Sequence, residues 1–259
     1  MGNREFEQNE RIDRAQRDIE QLRVWIRSCK PGRMVFFGGA GVSTESGIPD
    51  FRSADGLYAQ RYAYPPETIV SRSFFDARPG EFYNFYCDRM LALDAKPNAA
   101  HMKLAELERE GTLSATVTQN IDGLHQRSGS RTVHELHGSV WRNYCMGCGA
   151  PYTVYELLEL RAASTDGVPR CPKCGAVVKP DVVLYEEALD DATVTASVQA
   201  IAHADLMVIA GTSLAVYPAA GLLDYFRGEH VVIINRTPTP RDAGADLCIA
   251  ANVGEVLGF

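Results

Sequence analysis

The sequence predicts an α/β fold: a doubly wound, Rossmann-like parallel sheet carrying a small zinc-ribbon lobe. Three observations support that expectation. Short apolar runs of four or five residues alternate with longer stretches of helical periodicity, as buried parallel strands linked by helices do. The first run, Met34-Val35-Phe36-Phe37, passes directly into a glycine turn, Gly39-Ala40-Gly41. Four of the seven cysteines stand in two C-x-x-C pairs, and the segment that holds them interrupts the alternation.

Taken in order, residues 4–28 read as helix, because Ile12, Ala15, Ile19, Leu22 and Ile26 recur at helical spacing. The polar start of this helix reads as a solvated segment. Lys30-Pro31-Gly32 stops it, and the first strand follows. An insertion at about 53–97 is rich in aromatics, Arg and Pro; its start, Ala54-Asp55-Gly56-Leu57-Tyr58, reads as a loop and its second half as helix. Asn98 is positioned to cap a helix through about Glu110, closed by Gly111. Strands are expected at Leu113–Val117, Leu206–Ala210 and Val231–Ile234, with helices over Asp191–His203 and Ala219–Arg227. The expected division is an N-terminal helical segment (1–28), a sheet domain (29–140 with 182–259) and a metal lobe (141–181).

Composition narrows the function. The 259 residues, 46% hydrophobic and 23% charged, suffice for one large core and a small lobe. A net charge of −7 argues against general nucleic-acid binding, which relies on basic surfaces. No apolar stretch approaches the roughly 20 residues of a membrane span, so no membrane partner is expected. Met1 to Arg23 lacks an apolar core, so no secretory signal is expected. Oligomeric state is not legible.

Cys145-x-x-Cys148 and Cys171-x-x-Cys174 each carry turn glycines, Gly147 and Gly149 in the first pair and Gly175 in the second. Two such knuckles bring four thiolates to one tetrahedral zinc. A four-sulfur site has no open position, so the zinc is expected to be structural and to fold a lobe too small to hold itself together. The same spacing also fits two redox motifs or an iron–sulfur site. Cys29, Cys87 and Cys248 are scattered and read as core residues; the usage as a whole suits a reducing cytoplasm.

Three polar segments follow expected strands: Thr118-Gln119-Asn120-Ile121-Asp122-Gly123-Leu124-His125, His134-Glu135-Leu136-His137-Gly138-Ser139 and Gly211-Thr212-Ser213-Leu214. Strand ends gather at one edge of a parallel sheet, so these segments should converge on the glycine turn. Small residues there let main chain approach a pyrophosphate. Thr44 stands where the G-x-G-x-x-G fingerprint has its third glycine, so the glycines alone specify little. The whole stretch from Gly39 to Ile48-Pro49-Asp50-Phe51-Arg52 is far more specific. It resembles the signature of the sirtuins, the NAD-dependent protein-lysine deacylases. The other segments resemble sirtuin motifs in the family's order, from about residue 20 to the C-terminus.

The resemblance implies NAD as a co-substrate and assigns roles. Ala40, Gly41 and Thr44 match the pyrophosphate contacts, and Phe51 and Arg52 the nicotinamide side. Gln119 and Asn120 match the nicotinamide ribose, and Ile121 and Asp122 the carboxamide pocket. Gly211, Thr212 and Ser213 match phosphate and ribose contacts, Asn235 the adenosine ribose and Val253 the adenine side. His137 matches the catalytic base, a role suited to a group that titrates near neutral pH. His101, His203 and His230 read as packing or surface residues, His134 as part of a strand and His125 as part of a helix. Ser43 and Ser46 read as caps or phosphate contacts, since no G-x-S-x-G elbow surrounds them.

Val182-Val183-Leu184-Tyr185 reads as extended. The resemblance implies that this segment and Leu214 to Tyr217 sandwich an acetylated-lysine peptide as an added strand, with Val183, Tyr185 and Val216 lining the acyl tunnel. Here Tyr185-Glu186-Glu187 stands where many relatives have Phe-Gly-Glu. Relatives that remove acidic acyl groups pair a Tyr with an Arg three residues on. Tyr83 matches that Tyr, Tyr86 takes the Arg's place, and Tyr86-x-x-Arg89 is out of register. No cation is then expected to face a succinyl carboxylate, and deacetylation is expected. ADP-ribosyl transfer or NAD hydrolysis on the same fold, and a noncatalytic nucleotide-holding module, remain open. A hydride-transferring oxidoreductase fits less well without the third fingerprint glycine.

Overall fold

The computed structural model describes residues 2–51, Gly56 and 62–259, with side chains from residue 14 onward. In chain order the strands are β1 (Met34–Gly38), β2 (Leu113–Thr118), β3 (Val133–Glu135), β4 (Gly138–Cys145), β5 (Pro151–Thr153), β6 (Val178–Val182), β7 (Leu206–Ala210), β8 (His230–Ile234) and β9 (Leu247–Ile249). The helices are α1 (Gly2–Ser28), α2 (Pro66–Ile69), α3 (Arg72–Ala77), α4 (Pro79–Phe85), α5 (Ala99–Arg109), α6 (Leu124–Arg127), α7 (Val154–Ala162), α8 (Asp191–His203) and α9 (Val253–Leu257).

Six strands form one wholly parallel sheet in the order β3-β2-β1-β7-β8-β9. Every residue of β1 is buried, as a continuous apolar run flanked on both edges requires. Successive side chains point to opposite faces. Met34 and Phe36 join Leu22, Ile26, Leu104 and Val256 on one face, and Val35 and Phe37 join Ile201, Ile209 and Leu223 on the other. Gly38 lies opposite both Thr118 and Ala210, so the chain leaves β1, β2 and β7 side by side. The strand order reverses between β1 and β7, which opens a crevice at their carboxyl ends. As expected, Asn98 caps α5, its side chain accepting from Ala100 and His101 N–H.

The cysteine segment forms a second, antiparallel sheet in the order β5-β4-β6. It shares a core with the insertion: Phe75, Phe82, Tyr83 and Tyr86 pack with Cys145, Leu157, Cys171 and Val178. Several elements differ from the sequence expectation. Ala219–Tyr225 is a 3₁₀ segment rather than an α-helix; Pro218 leads it and Gly221 interrupts it. The three-residue strands β3, β5 and β9 are too short to leave a period in the sequence. In β4 the pairing shifts between Ser139 and Asn143, which breaks the alternation that would have revealed it. Among the described residues no helix is long and apolar enough to cross a membrane.

Candidate active site

A cleft of about 420 Å³ opens at the carboxyl ends of β1, β2, β7 and β8, with β6 and the insertion completing its wall. That size suits a small-molecule site. The cleft is bordered by Ala40, Gly41, Thr44, Phe51, Gln119, Asn120, Ile121, Asp122 and His137. Gly211, Thr212, Ser213, Asn235, Val253, Val183, Tyr185 and Val216 also border it. Thus every residue singled out for the cofactor or peptide converges there except Arg52, which lies outside the described residues.

The floor is main chain against main chain. Gly41 N–H donates to the Gly211 carbonyl at 2.8 Å. A Cβ on Gly41 would sit 2.7 Å from Gly211 Cα; one on Gly211, whose φ is +59°, would sit 2.4 Å from Val42 N. Only glycine lets these turns touch, and their contact forms a small-residue cradle on which a phosphate could approach the main chain. Thr44 Oγ1 donates back to Gly41 O at 3.0 Å, so this hydroxyl shapes its own turn. Gln119 Nε2 donates to Thr212 Oγ1 at 3.0 Å, joining β2's end to β7's. Asn235 Nδ2 donates to Thr237 O within its own loop. Glu45 accepts from Gly254 N at 2.6 Å, which ties α9 and Val253 to the glycine turn.

Ser43 corrects the sequence expectation. It makes no side-chain cap on the following 3₁₀ turn. Its Oγ donates to Asp122 Oδ2 at 2.7 Å and accepts from Asn120 Nδ2 at 3.1 Å. Asp122 Oδ1 accepts from Leu124 N at 2.8 Å. Burial holds the Asp122 carboxyl above its ordinary pKa, while these bonds and the Arg127 charge oppose the rise. Trp141 Nε1 donates to the Asp122 carbonyl at 2.7 Å and fixes the turn from behind. Sequence reasoning missed both partners. Ser43, at the close of the glycine turn, offered a weak signal; Trp141 offered none, because β4 delivers it from the other sheet.

His137 follows β3. Leu136 N–H donates to Thr118 O, and Gly138, at φ +75°, turns the chain into β4; a Cβ there would lie 1.9 Å from Asp181 O. His137 Nδ1 lies 3.0 Å from Gln119 O. A carbonyl only accepts, so Nδ1 carries the proton and Nε2 keeps its lone pair. Burial lowers the His137 pKa, opposed by the Gln119 bond, so the imidazole is neutral at physiological pH. The other histidines sit as read: His101 and His125 buried, His134 in β3, His203 beside Arg33, and His230 stacked on Trp25.

On the other wall, Val183 N–H donates to His137 O at 3.0 Å. Tyr185 N–H donates to Val70 O, and Tyr185 O accepts from Arg72 N, both at 3.0 Å. Glu186 adopts φ +76° and so keeps a glycine-like path. The insertion does not present the acyl register expected from its spacing. Tyr83 and Tyr86 are fully buried in the insertion core, Tyr83 donating to Val178 O, and neither borders the cleft. Arg89 does border it, with its guanidinium 5.9 Å from the Tyr62 ring centre. The π-helical turn Tyr86–Met90 adds a residue and shifts the side chains after it round the axis.

The sulfurs of Cys145, Cys148, Cys171 and Cys174 lie within 4.8 Å of one another. Cys145 to Cys174 is 3.3 Å and Cys148 to Cys171 is 3.7 Å. Ligands about 2.3 Å from a tetrahedral zinc stand about 3.8 Å apart, so the set fits a single ion. Sulfurs this close leave no room for an iron–sulfur cluster, and their convergence excludes two separate redox pairs. Gly147 and Cys148 N–H both point at Cys145 Sγ at 3.4 Å, and the Tyr152 hydroxyl lies 3.0 Å from Cys171 Sγ.

A model of the Sir2 family matches residues 39–218. An NAD-dependent protein deacetylase of Clostridium perfringens is 56% identical over 243 residues, covering 93% of this chain and 97% of the relative. One from Clostridium acetobutylicum is 54% identical over 226 residues, covering 86% and 91%. A solved structure described as Sir2 with a p53 peptide and NAD+ superposes with a TM-score of 0.83 at 38% identity, covering 92% of this chain and 95% of that one.

Proposed function

Because this chain belongs to the Sir2 family, we infer that it is an NAD-dependent protein-lysine deacetylase. It releases nicotinamide, O-acetyl-ADP-ribose and the free lysine. NAD, when bound, supplies the ribose that receives the acetyl group and is consumed in each turnover. The Gly41–Gly211 cradle and Thr212 hold the pyrophosphate side, and Asn235 and Val253 the adenosine side. Asp122, oriented by Ser43, accepts the carboxamide N–H groups beside Ile121. Gln119 and Asn120 hold the nicotinamide ribose. His137 takes a ribose hydroxyl proton at Nε2, because Gln119 O occupies its Nδ1 side. Phe51, which borders the cleft, stands on the nicotinamide side.

The acetylated peptide lies between Val183–Tyr185 and Leu214–Tyr217, its acyl-lysine running past Val183, Tyr185 and Val216 toward His137. The zinc site is full and structural. We propose the division into an N-terminal helical segment, a split sheet domain and a zinc lobe as the working domain map. A reducing cytoplasm, which keeps the four thiolates available, is the proposed compartment.

The observation that carries this reading is the neutral, Nδ1-anchored imidazole on the same cleft as the glycine cradle. Purified protein with NAD and an acetyl-lysine peptide is expected to release nicotinamide and deacetylated peptide in equal amounts. His137→Ala is expected to lose about a thousandfold in kcat with its melting temperature unchanged. Nicotinamide release indifferent to the peptide would instead identify a hydrolase or ADP-ribosyltransferase.

A further inference from the structure

We propose that Glu186 is a positioning residue for the protein substrate: anchored to Ser73, it presets the main-chain rung on which the peptide strand docks. The proposal rests on the deacetylase reading above and deepens its substrate side.

Glu186 and Leu214 are the non-glycine residues at positive φ among those described, at +76° and +54°. Left-handed backbone is unfavourable for a residue with a Cβ, so each needs a local restraint. The two lie on the two segments that flank the proposed peptide slot, and strained backbone of this kind gathers at binding sites. Leu214 is restrained by its N–H, which donates to Thr212 Oγ1 at 3.2 Å. Glu186 is restrained by its side chain. One carboxylate oxygen accepts from Ser73 N–H at 2.8 Å and the other from Ser73 Oγ at 2.9 Å. The carboxylate thereby bolts segment 183–187 to the first turn of α3 in the insertion.

The main-chain groups around Glu186 are already taken. Tyr185 pairs on both sides with Val70 and Arg72. Leu184 N–H donates to the Glu187 carboxylate, and Leu184 O accepts from Glu187 N. Glu187 is itself held by Lys179 and Arg72. Among the described residues, neither the N–H nor the C=O of Glu186 has a partner, and Glu186 borders the cleft. A free N–H and C=O beside an open slot is what an added strand requires. Without the Ser73 anchor this rung would sample other backbone geometries, and the peptide would have to order it on binding, which weakens binding without touching the chemistry.

The informative variant is Glu186→Gly: glycine tolerates the positive φ, so the fold is kept, while the anchor and the backbone restriction that goes with a Cβ are both lost. It is expected to raise KM for an acetyl-lysine peptide about tenfold, leaving kcat and KM for NAD within about twofold. Ser73→Ala alone should raise the peptide KM about threefold, and add nothing on top of Glu186→Gly. Glu186→Gln, which keeps one acceptor oxygen, should fall between wild type and Glu186→Gly. Hydrogen exchange at the Ser73 amide reads the anchor without turnover: protected in wild type, fast in Glu186→Gly. An unchanged peptide KM, additive Ser73 and Glu186 effects, or an unprotected wild-type Ser73 amide would each overturn the proposal. So would a parallel rise in KM for both substrates with a falling melting temperature. Wild-type protein that turned over no acetyl peptide would defeat the deacetylase reading, and the Ser73 exchange would still decide the anchor.

Discussion

The two walls of the cleft are built by different physics. The floor grows from six parallel strands with a core on each face, and the residues at β1's end are held by strand register and by hydrogen bonds to the neighbouring strand ends. The opposite wall rests on a three-stranded sheet and short helices that share one aromatic core, and two cysteines of the metal set belong to that core. The nucleotide side is therefore preset by topology, whereas the peptide side depends on a metal. One half could survive the loss of the other's support.

Removing the metal is the most severe way to test that asymmetry. A chelator, or Cys171→Ser, should lower peptide-dependent nicotinamide release by about a hundredfold or more. Near-ultraviolet signal from the Phe82–Tyr83–Tyr86 cluster should go with it, while the far-ultraviolet signal of the parallel sheet persists. A single melting transition that takes both signals together would break the comparison. So would retained turnover after stoichiometric metal release.

Ser43→Ala tests where the walls meet. The hydroxyl belongs to the sheet side, but the Asp122 turn it holds is fixed from behind by Trp141 of β4. Losing a hydrogen bond to a buried carboxylate costs about 2 kcal/mol, or roughly thirtyfold in KM for NAD. The pH profile gives the sign. Burial raises the Asp122 pKa above its ordinary value, and only when ionised does the carboxylate accept through both oxygens. Activity therefore falls as pH drops through that raised pKa, and removing Ser43 moves this limb to higher pH.

The sheet half was far more legible in the sequence than the other. Buried parallel strands are continuous apolar runs, so Met34–Phe37 and Leu206–Ala210 announce themselves, and sheet topology then brings the polar segments after them together. The cysteine spacing revealed a metal but not the sheet around it, because β5 has three residues and β4 carries an irregularity. Tyr83 and Tyr86 misled for a related reason. Spacing along a helix fixes which residues share a face, but only packing decides which face is buried, and the π-helical turn that begins at Tyr86 changes the spacing itself. The Ser43–Asp122 bond joins residues 79 positions apart, and nothing local in the chain encodes it.

The effect expected to touch turnover least is on stability, and it reaches the sheet half by a different lever. His101 on α5 and His125 on α6 face each other with ring centres 4.7 Å apart, and both are buried. Among the described residues His125 has neither ring nitrogen partnered, and His101 lacks a partner at Nε2. Burial lowers His101 to about 4, and burial together with the neighbouring His101 lowers His125 to about 3. An unfolded histidine titrates near 6.5, so on acidification the unfolded chain takes up both protons before the folded one does. The stability these neutral rings contribute is complete above about pH 6.5, and it is lost as pH falls from there toward their folded values. Well below pH 6.5 each histidine then removes up to about 1.4 kcal/mol per pH unit, which for two corresponds to roughly 5–10 °C in melting temperature. His125→Phe, an uncharged ring of similar breadth, should about halve that slope while leaving the chelator response unchanged. If the slope persisted in His125→Phe, acid would be acting through other groups, and the sheet half would have no pH lever distinct from the metal that governs the opposite wall.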